Sequence, residues 1–515
     1  MDAAHPAGPD NLRLLLGLKV RAARDKRGWT LQELARRGGL AVSYLSEIEK
    51  GKKFPKPEKL LGLARALGVA YEELVSTRVE EELSALSAFA GSEFLRQFPF
   101  HLFGLEAADL FDLVASDPKR AGALLHTFGE IALRHDVEVE QLLFAALRSY
   151  QMLHDNSFPE IEEAAERFRA ECGWTERDHL EESELRAVLE ERCGYRVDYE
   201  TLPARAELCE LRSVFAPGAL PRLFVNGRLT TRQRAYVLAR ELGFRVLDLR
   251  ERPLTSSWLR AETFDEVLNN FQASSFAGAL LMPRRDVVAG LGRLFAAPRF
   301  RKRALVEMLD RFGASPEMLL YRFSQIAPAA FGLKELYFVR FYRDSRRERP
   351  KLSKVFNMSR YQVPHGISQA EHACGRWPGV AILDALAAGG RATLEAPAIE
   401  ARLCRFQSEP VEFFVVAMAR PLALKPRVMT SVSLGFLVDD ALRRVVRFLD
   451  NRALRRLEVD LTCERCPLSA AACTVRAAPP RILEHQRELE RREAALGELF
   501  ARGPLTAPAA GGAVR

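Results

Sequence analysis

The sequence predicts a multidomain protein: an all-α head, a helical connector, an α+β middle domain and an α/β C-terminal domain. Three observations lead there. A length of 515 residues is enough for roughly three to four domains. Apolar residues recur at helical spacing up to about Asp155, and from Pro159 onwards helix and strand patterns mix. Charge is uneven: between Asn11 and Ser76 fourteen Lys or Arg face seven Asp or Glu, so most of the net +8 lies in one short segment. A basic small domain on a nearly neutral body points to a polyanion partner at the N-terminus. Apolar and charged contents of 48% and 28% are ordinary for a globular protein. No apolar run reaches the roughly 20 residues of a membrane span, and Glu412–Leu424 is broken by Arg420.

Taken in order, Leu14–Lys26 reads as a first helix with Leu14, Leu18 and Ala22 on one side. Thr30-Leu-Gln-Glu33 has the form of a capping box opening a second helix, which Gly38-Gly39 ends. A third helix spans Ser43–Lys50, with Leu45 and Ile48 inward and Ser43, Tyr44 and Glu47 outward. Pro55 and Pro57 set up a fourth helix through Leu67, and a fifth begins at Tyr71. Two short helices, a glycine-bearing turn and a basic exit make a helix-turn-helix, whose second helix enters the major groove. A five-helix protein-interaction module with a solvated basic face is the plainer alternative. Residues 77–158 read as a helical connector or dimerising bundle with nothing in them that carries chemistry.

From Pro159, Leu185–Tyr199 reads as helix then strand, and Arg222–Val225 as a strand closed by an Asn226-Gly227 turn. A helix carries Gln233–Phe244, and Arg284–Ala327 is helical with Ser315-Pro316-Glu317 as N-cap, first-position proline and first-turn acid. In the last third, Glu335–Arg343, Glu412–Arg420 and Val428–Val438 are strand candidates. Helices are predicted at Gly379–Ala388 and Asp440–Asp450. Arg340–Lys351 is rich in guanidinium groups; it reads as a solvated loop, or as a site for a phosphate-bearing anion. The tail should be a charged helix over Arg481–Leu496 and disordered from Gly503.

Cys463-Glu-Arg-Cys466 and Cys473 place three thiols at C-x2-C-x6-C spacing in a chain with eight cysteines. Close thiolates repel one another unless a cation or a disulfide holds them. Nothing near Met1 reads as a secretory signal, so a reducing cytoplasm is expected and a metal or iron–sulfur site is favoured over a disulfide. Zinc and iron both accept such ligands. Cys172, Cys193 and Cys209 are isolated and read as buried small hydrophobes.

Three resemblances add to this reading. The segment WTLQELARRGGLAVSYLSEIEKGKKFPKPEKLLGLARALGV resembles the Cro/CI-type (Xre) helix-turn-helix family over residues 12–76. The likeness implies a DNA-binding domain at residues 11–76. It puts Ser43, Tyr44 and Glu47 at base edges, and Gln32, Ser46, Lys50 and Lys53 on phosphates. QRAYVLARELGF and NNFQASSFAGALLMP resemble the ImmA/IrrE family of zinc endopeptidases, which implies a zincin-like middle domain over residues 159–330. That family's H-E-x-x-H helix and later acid fall here on Arg240, Glu241, Phe244 and Asn270. Glu241 alone survives, as a structural ion-pair partner of Arg240 or a neighbouring arginine, so the chain is expected not to be an enzyme.

The order of all these features resembles the short-chain fatty-acyl-CoA transcriptional regulators. That likeness implies a sensor domain over residues 331–480, a double-stranded DNA operator, a short-chain acyl-CoA effector, a homodimer and no membrane. It favours a 4Fe–4S iron–sulfur cluster over zinc, held by Cys374, Cys463, Cys466 and Cys473, with Cys404 as the runner-up to Cys374. Arg340, Arg343, Arg346 and Arg347 are its candidate effector ligands. The thiol spacing departs from the family's by two residues, and its C-P-x-W-N-x-H-E motif stands here as Cys374-Gly-Arg-Trp-Pro-Gly-Val-Ala. The resulting expectation is a cytoplasmic DNA-binding regulator of acyl-CoA and carbon metabolism. The alternatives are an ImmA/IrrE-type metallopeptidase acting on a repressor, and a zinc-stabilised antitoxin-like interaction protein.

Overall fold

In the computed structural model the described residues are 13, 16–17, 19–21, 23–24, 26–49, 53–75, 139–255, 263–344, 348–361, 371–469 and 471–501. The chain divides into two compact units. The first is Met1–Tyr150 with Glu251–Pro253 and Leu259–Leu268; the second is Gln151–Arg250, Leu254–Trp258 and Asn269–Arg515.

In the first unit, the described residues between Arg13 and Arg24 are helical. They are followed by α1 (Leu31–Gly38), α2 (Val42–Glu49), α3 (Pro57–Leu67) and α4 (Tyr71–Val75). Thr30 caps α1, its hydroxyl accepting from Glu33 N at 3.2 Å. The reciprocal half of the expected capping box is replaced, because the Glu33 carboxylate binds Arg36 and Arg37, each at 2.8 Å. Gly39 ends α1 at φ 62°, a left-handed conformation that glycine adopts without steric cost. Leu16, Val20, Leu34, Leu45, Ile48, Leu60, Leu63, Leu67 and Leu74 form one buried core. The first helix thus packs through Leu16 and Val20, while the predicted face of Leu14, Leu18 and Ala22 lies outside the described residues. A Cβ on Gly17 would sit 2.5 Å from Ile48 O, so this helix crosses the end of α2 at closest approach. Arg24 fixes the crossing with two hydrogen bonds to Glu49, at 2.8 and 3.0 Å. The connector is described only from α5 (Val139–Leu153); its earlier part lies outside the described residues.

The second unit begins with α6 (Pro159–Glu171) and α7 (Glu182–Glu191). A small three-stranded sheet follows, of order β1-β3-β2, from β1 (Arg196–Asp198), β2 (Ser213–Ala216) and β3 (Arg222–Val225), with α8 (Thr201–Ala204) between β1 and β2. β1 runs parallel to β3, and β2 antiparallel to it. Helices α9 (Thr231–Val246), α10 (Phe264–Leu281, in this unit from Asn269), α11 (Arg284–Ala296), α12 (Lys302–Arg311) and α13 (Pro316–Phe331) complete this part. Thr230 and Gln233 form a full capping box on α9, and Ser315 caps α13 as its sequence predicts. Helices α9 and α10 cross tightly at Gly243, where a Cβ would lie 2.8 Å from Ala273 O. Beside them Arg322 is wholly buried and paired with Glu162, its Nη2 donating to Oε2 at 2.6 Å.

The rest is a six-stranded sheet, order β5-β4-β8-β7-β6-β9. Its strands are β4 (Leu336–Arg343), β5 (Lys351–Asn357), β6 (Ala398–Phe406), β7 (Glu412–Pro421), β8 (Met429–Leu437) and β9 (Arg456–Val459). Only the β6–β9 pair is parallel; the others are antiparallel. The domain is therefore a mainly antiparallel sheet rather than alternating α/β. The helix predicted over Asp440–Asp450 is shorter, α15 (Asp440–Val445), and α16 (Arg481–Ala501) is the charged tail helix. The region beyond residue 501, expected to be disordered, lies outside the described residues. One face of the sheet packs against α14 (Pro378–Ala387) through Tyr337, Phe341, Trp377, Leu383, Phe406 and Phe413. Gly379 lets α14 sit down on β8, and Ser431 Oγ donates to Gly379 O at 2.6 Å.

Gly435 is the tightest point of that core, because a Cβ there would lie 2.3 Å from the Tyr337 ring. Tyr337 is held in turn by edge-on packing against Trp377 and Phe413, at 5.5 and 5.2 Å. Gly435→Ala should therefore cost about 1–3 kcal/mol by overpacking, read from denaturant unfolding. A midpoint equal to wild type would show that Tyr337 yields freely.

Candidate functional site

The head presents one polar surface. On α2, Leu45 and Ile48 are buried, Ser43 is exposed, and Tyr44, Ser46 and Glu47 are half-buried. Gln32 on α1 and Lys53 just beyond α2 are exposed; Lys50 lies outside the described residues. Lys53 Nζ is 2.7 Å from Glu47 Oε2, and its ammonium lies 5.6 Å from the Tyr44 ring centroid, with Lys59 at 5.8 Å. The hydrogen bond that Lys53 donates to the Glu47 carboxylate raises the Lys53 pKa. Glu47 and Lys53, expected to play separate roles, thus form an exposed ion pair of the kind worth little in water. Such a pair is easily traded for a phosphate.

In the middle domain the four peptidase positions fall on two touching helices. Glu241 on α9 is buried at 1% exposure and accepts from Tyr195 Oη at 2.8 Å. Arg240 donates Nη2 to Ser213 Oγ at 3.2 Å, and its Nη1 lies 3.5 Å from Asn270 Oδ1 on α10. Phe244 is buried. A guanidinium therefore reaches towards the position where the resemblance places a ligand, and it brings a positive charge where a divalent cation would need anionic or neutral donors.

The cysteine corner is built by the end of β9 and the segment before α14. Ala373 and Thr462 form a β-bridge, with Cys374 N donating to Leu461 O at 3.3 Å and Cys463 N to His372 O at 3.0 Å. Glu464 is fully buried and accepts from His372 N at 3.0 Å, with His372 Nδ1 2.8 Å from its other oxygen. Arg465 pairs with Glu371 through hydrogen bonds of 2.8 and 2.9 Å. Arg476 clasps the loop, donating to Cys463 O at 3.1 Å, to Cys466 O at 3.4 Å and to Leu468 O. Ala477 N donates to Cys463 Sγ at 3.2 Å.

Cys374, Cys404, Cys463, Cys466 and Cys473 are all buried. Burial pushes the Cys374 thiol up to about 12, with Cys463 and Cys466 close enough to add to the rise. Burial also raises Cys466, with a contribution from Cys473. Cys404 is raised by burial and then by Cys374. Among the described residues no group of three or more His, Cys, Asp or Glu is arranged to hold a metal ion. The donors suit a thiolate-bound group in kind and burial, but their side chains are not drawn together around a centre. Cys172, Cys193 and Cys209 are half-buried rather than buried, since they sit at the ends of α6, of α7 and in the exposed loop before β2. The His372–Glu464 pair and the Arg476 clasp carry no motif of their own; only the packing of the corner reveals them.

The candidate effector arginines separate. Arg343 is buried against α14, donating to Leu383 O at 3.2 Å and to Asp384. Arg340 lies on the opposite face of β4, pairing with Glu317 at 3.2 Å and donating to Ser353 Oγ at 2.9 Å. Arg346 and Arg347 lie outside the described residues.

Two families match the chain: helix-turn-helix over residues 20–74, and the IrrE N-terminal-like domain over residues 196–324. An uncharacterized HTH-type transcriptional regulator, y4dJ, of Sinorhizobium fredii is 38% identical over 66 residues, 13% of this chain and 86% of that protein. The HTH-type transcriptional repressor RghR of Bacillus subtilis is 40% identical over 60 residues, 12% of this chain and 44% of the repressor. The transcriptional regulator ClgR of Mycobacterium tuberculosis is 39% identical over 56 residues, 11% of this chain and 50% of its own length. The chain thus spans about half the length of these last two relatives. Among solved structures, a Mycobacterium tuberculosis transcriptional regulator aligns with a TM-score of 0.45 at 21% identity, covering 65% of this chain and 94% of that one.

Proposed function

We propose that this chain, which belongs to the helix-turn-helix family of transcriptional regulators, binds a specific duplex operator through α2 and controls genes of acyl-CoA and carbon metabolism. The observation that carries the DNA-binding part is α2 itself. Leu45 and Ile48 are buried in the head's core, while Ser43 is exposed and Tyr44 and Glu47 are half-buried in the most basic segment of the chain. In this reading Gln32, Ser46, Lys50 and Lys53 hold phosphates, and the protein acts as a cytoplasmic homodimer on a two-fold operator. No described helix is long and apolar enough to cross a membrane.

The IrrE-like body serves as scaffold rather than peptidase. Support comes from Arg240, Phe244 and Asn270, which stand where the likeness calls for zinc ligands, and from Tyr195 occupying the surviving Glu241. A glutamate without a polarising metal has no activated water to direct.

The effector is a short-chain acyl-CoA, and Cys374, Cys463, Cys466 and Cys473 would hold a 4Fe–4S cluster, with zinc as the competing occupant. Such a group would supply redox sensitivity when bound. Support comes from the burial of all four thiols and from the peptide links that tie the Cys463 loop to the Cys374 segment. The chain's own part is to present those thiols, to hold the loop through Arg476, and to release protons from thiols that burial keeps protonated.

Tyr44→Ala should lower discrimination between operator and random duplex, while Lys53→Ala should weaken both alike and reduce the salt slope by about one unit. Operator binding that survives deletion of residues 1–76 would overturn the assignment.

Anaerobically purified protein should be brown and lose that colour in Cys466→Ser but not in Cys209→Ser. Operator affinity of the coloured protein should respond to propionyl-CoA. A colourless protein with about one zinc per chain would replace the cluster by a structural site, and unchanged affinity would remove the acyl-CoA reading.

A further inference from the structure

Outside the head the chain is close to neutral in sum, yet its charge is not spread evenly. Residues 299–303 carry four cations and no acid, and residues 443–456 carry six arginines against one acid, Asp450. With the head at +7 and these two segments at +9, the rest of the chain is acidic. The second unit brings the two segments together. Phe300 is the anchor, its ring packing edge-on against Phe448 at 5.7 Å and Phe414 at 6.0 Å. Asn451 Nδ2 donates to Pro298 O at 2.9 Å, and Arg447 N donates to Phe295 O at 2.9 Å.

With Phe300 packed inward, its neighbours Arg299 and Arg301 are exposed. On the other segment Val446, Phe448, Leu449 and Leu454 are buried, which leaves the arginines between them at the surface. Few of these cations are neutralised. Arg303 pairs with Glu307 at 2.8 Å, Arg443 with Asp450 at 3.5 Å and Arg456 with Glu412 at 3.1 Å. The other seven, among them Arg444, Arg447, Arg452 and Arg455, have no ion pair among the described residues. Like charges gathered this densely repel one another, and an external polyanion relieves that repulsion. Nine of the ten cations are arginines, whose planar forks match phosphate oxygens. No large apolar side chain of either segment is exposed, so the face lacks the groups with which a basic surface enters a lipid interface.

We propose that this face is a second DNA contact, holding the phosphate backbone of the duplex beside the site bound by the head. It reads no sequence, because phosphates carry none. The inference rests on the DNA-binding reading of the head, which tethers the body to the duplex and so makes individually weak contacts count. Each phosphate the face neutralises adds about 0.9 to the salt slope through counterion release.

The test is fluorescence anisotropy of the full-length protein on a labelled random-sequence duplex of about 60 base pairs, roughly 200 Å long at about 3.4 Å per pair, over a series of salt concentrations. Arg447→Gln, Arg452→Gln and Arg455→Gln combined should lower the salt slope by about two to three units and weaken binding about tenfold or more. The same three positions changed to Lys keep the charge and should keep the slope, which a purely structural role would not produce. Both variants should melt with wild-type protein, since all three side chains are exposed. Slope and affinity unchanged in the Gln variant would overturn the proposal. The head is read separately by Lys53→Ala: no change there, with the slope still falling in the Gln variant, would sink the head reading and leave this face as the DNA contact. Binding to vesicles of phosphatidylserine and phosphatidylcholine that is lost in the Gln variant, with the DNA slope unchanged, would overturn the DNA assignment and make the face a membrane-surface one.

Discussion

Glu241 lies inside the IrrE-like body at 1% exposure with Tyr195 Oη at 2.8 Å, and Arg240, the residue before it, turns to Ser213 and Asn270. A carboxylate shut away from water costs several kcal/mol unless its partners are fixed in place. Tyr195, just ahead of β1, meets the Glu241 carboxylate, while Ser213 of β2 and Asn270 of α10 meet the neighbouring Arg240, so the polar groups of one helix draw on three distant stretches of chain. In a peptidase of this shape a metal would do part of that work. Here the Tyr195 hydroxyl meets the carboxylate directly.

The same logic of satisfying buried polar groups runs through the second unit. Glu464 is wholly buried in the cysteine corner and is met by His372, while Arg322 is buried and met by Glu162. Each pair ties together residues far apart in sequence, because an unpaired buried charge would be more costly than the order the pair imposes. The corner also rests on the sheet: Trp377, at the start of α14, donates Nε1 to Asp460 O at 2.6 Å and packs edge-on against Phe406. Rearrangement of the thiols would reach that aromatic core directly.

Most elements were legible in the sequence where local rules decide them. Thr30, Gly39, Ser315 and the Leu45/Ile48 spacing announce helix ends and faces, and the structure places them so. β5, β6 and β9 were not legible. β5 carries alternate Lys and Ser at a sheet edge, β6 mixes charges into its run, and β9 has only four residues, whose pairing to β6 is set by tertiary contact. The exchange of α/β for a mainly antiparallel sheet follows from those missed strands. At the sites, residue types could be read but company could not. Arg340 and Arg343 look like one basic cluster in sequence, yet a spacing of three on a strand sends them to opposite faces. Glu47 and Lys53 look independent and are paired.

The reading of the middle domain as a scaffold depends on what occupies the space beside Glu241. Crystals of the full-length protein soaked in zinc and measured at the zinc absorption edge examine that space directly, separately from the cysteine corner. The account predicts no anomalous peak within coordination distance of Glu241, of about 2.0–2.2 Å for a zinc–carboxylate bond, with Arg240 still turned to Ser213. A zinc peak bound by Glu241, with the Arg240 side chain displaced, would contradict it.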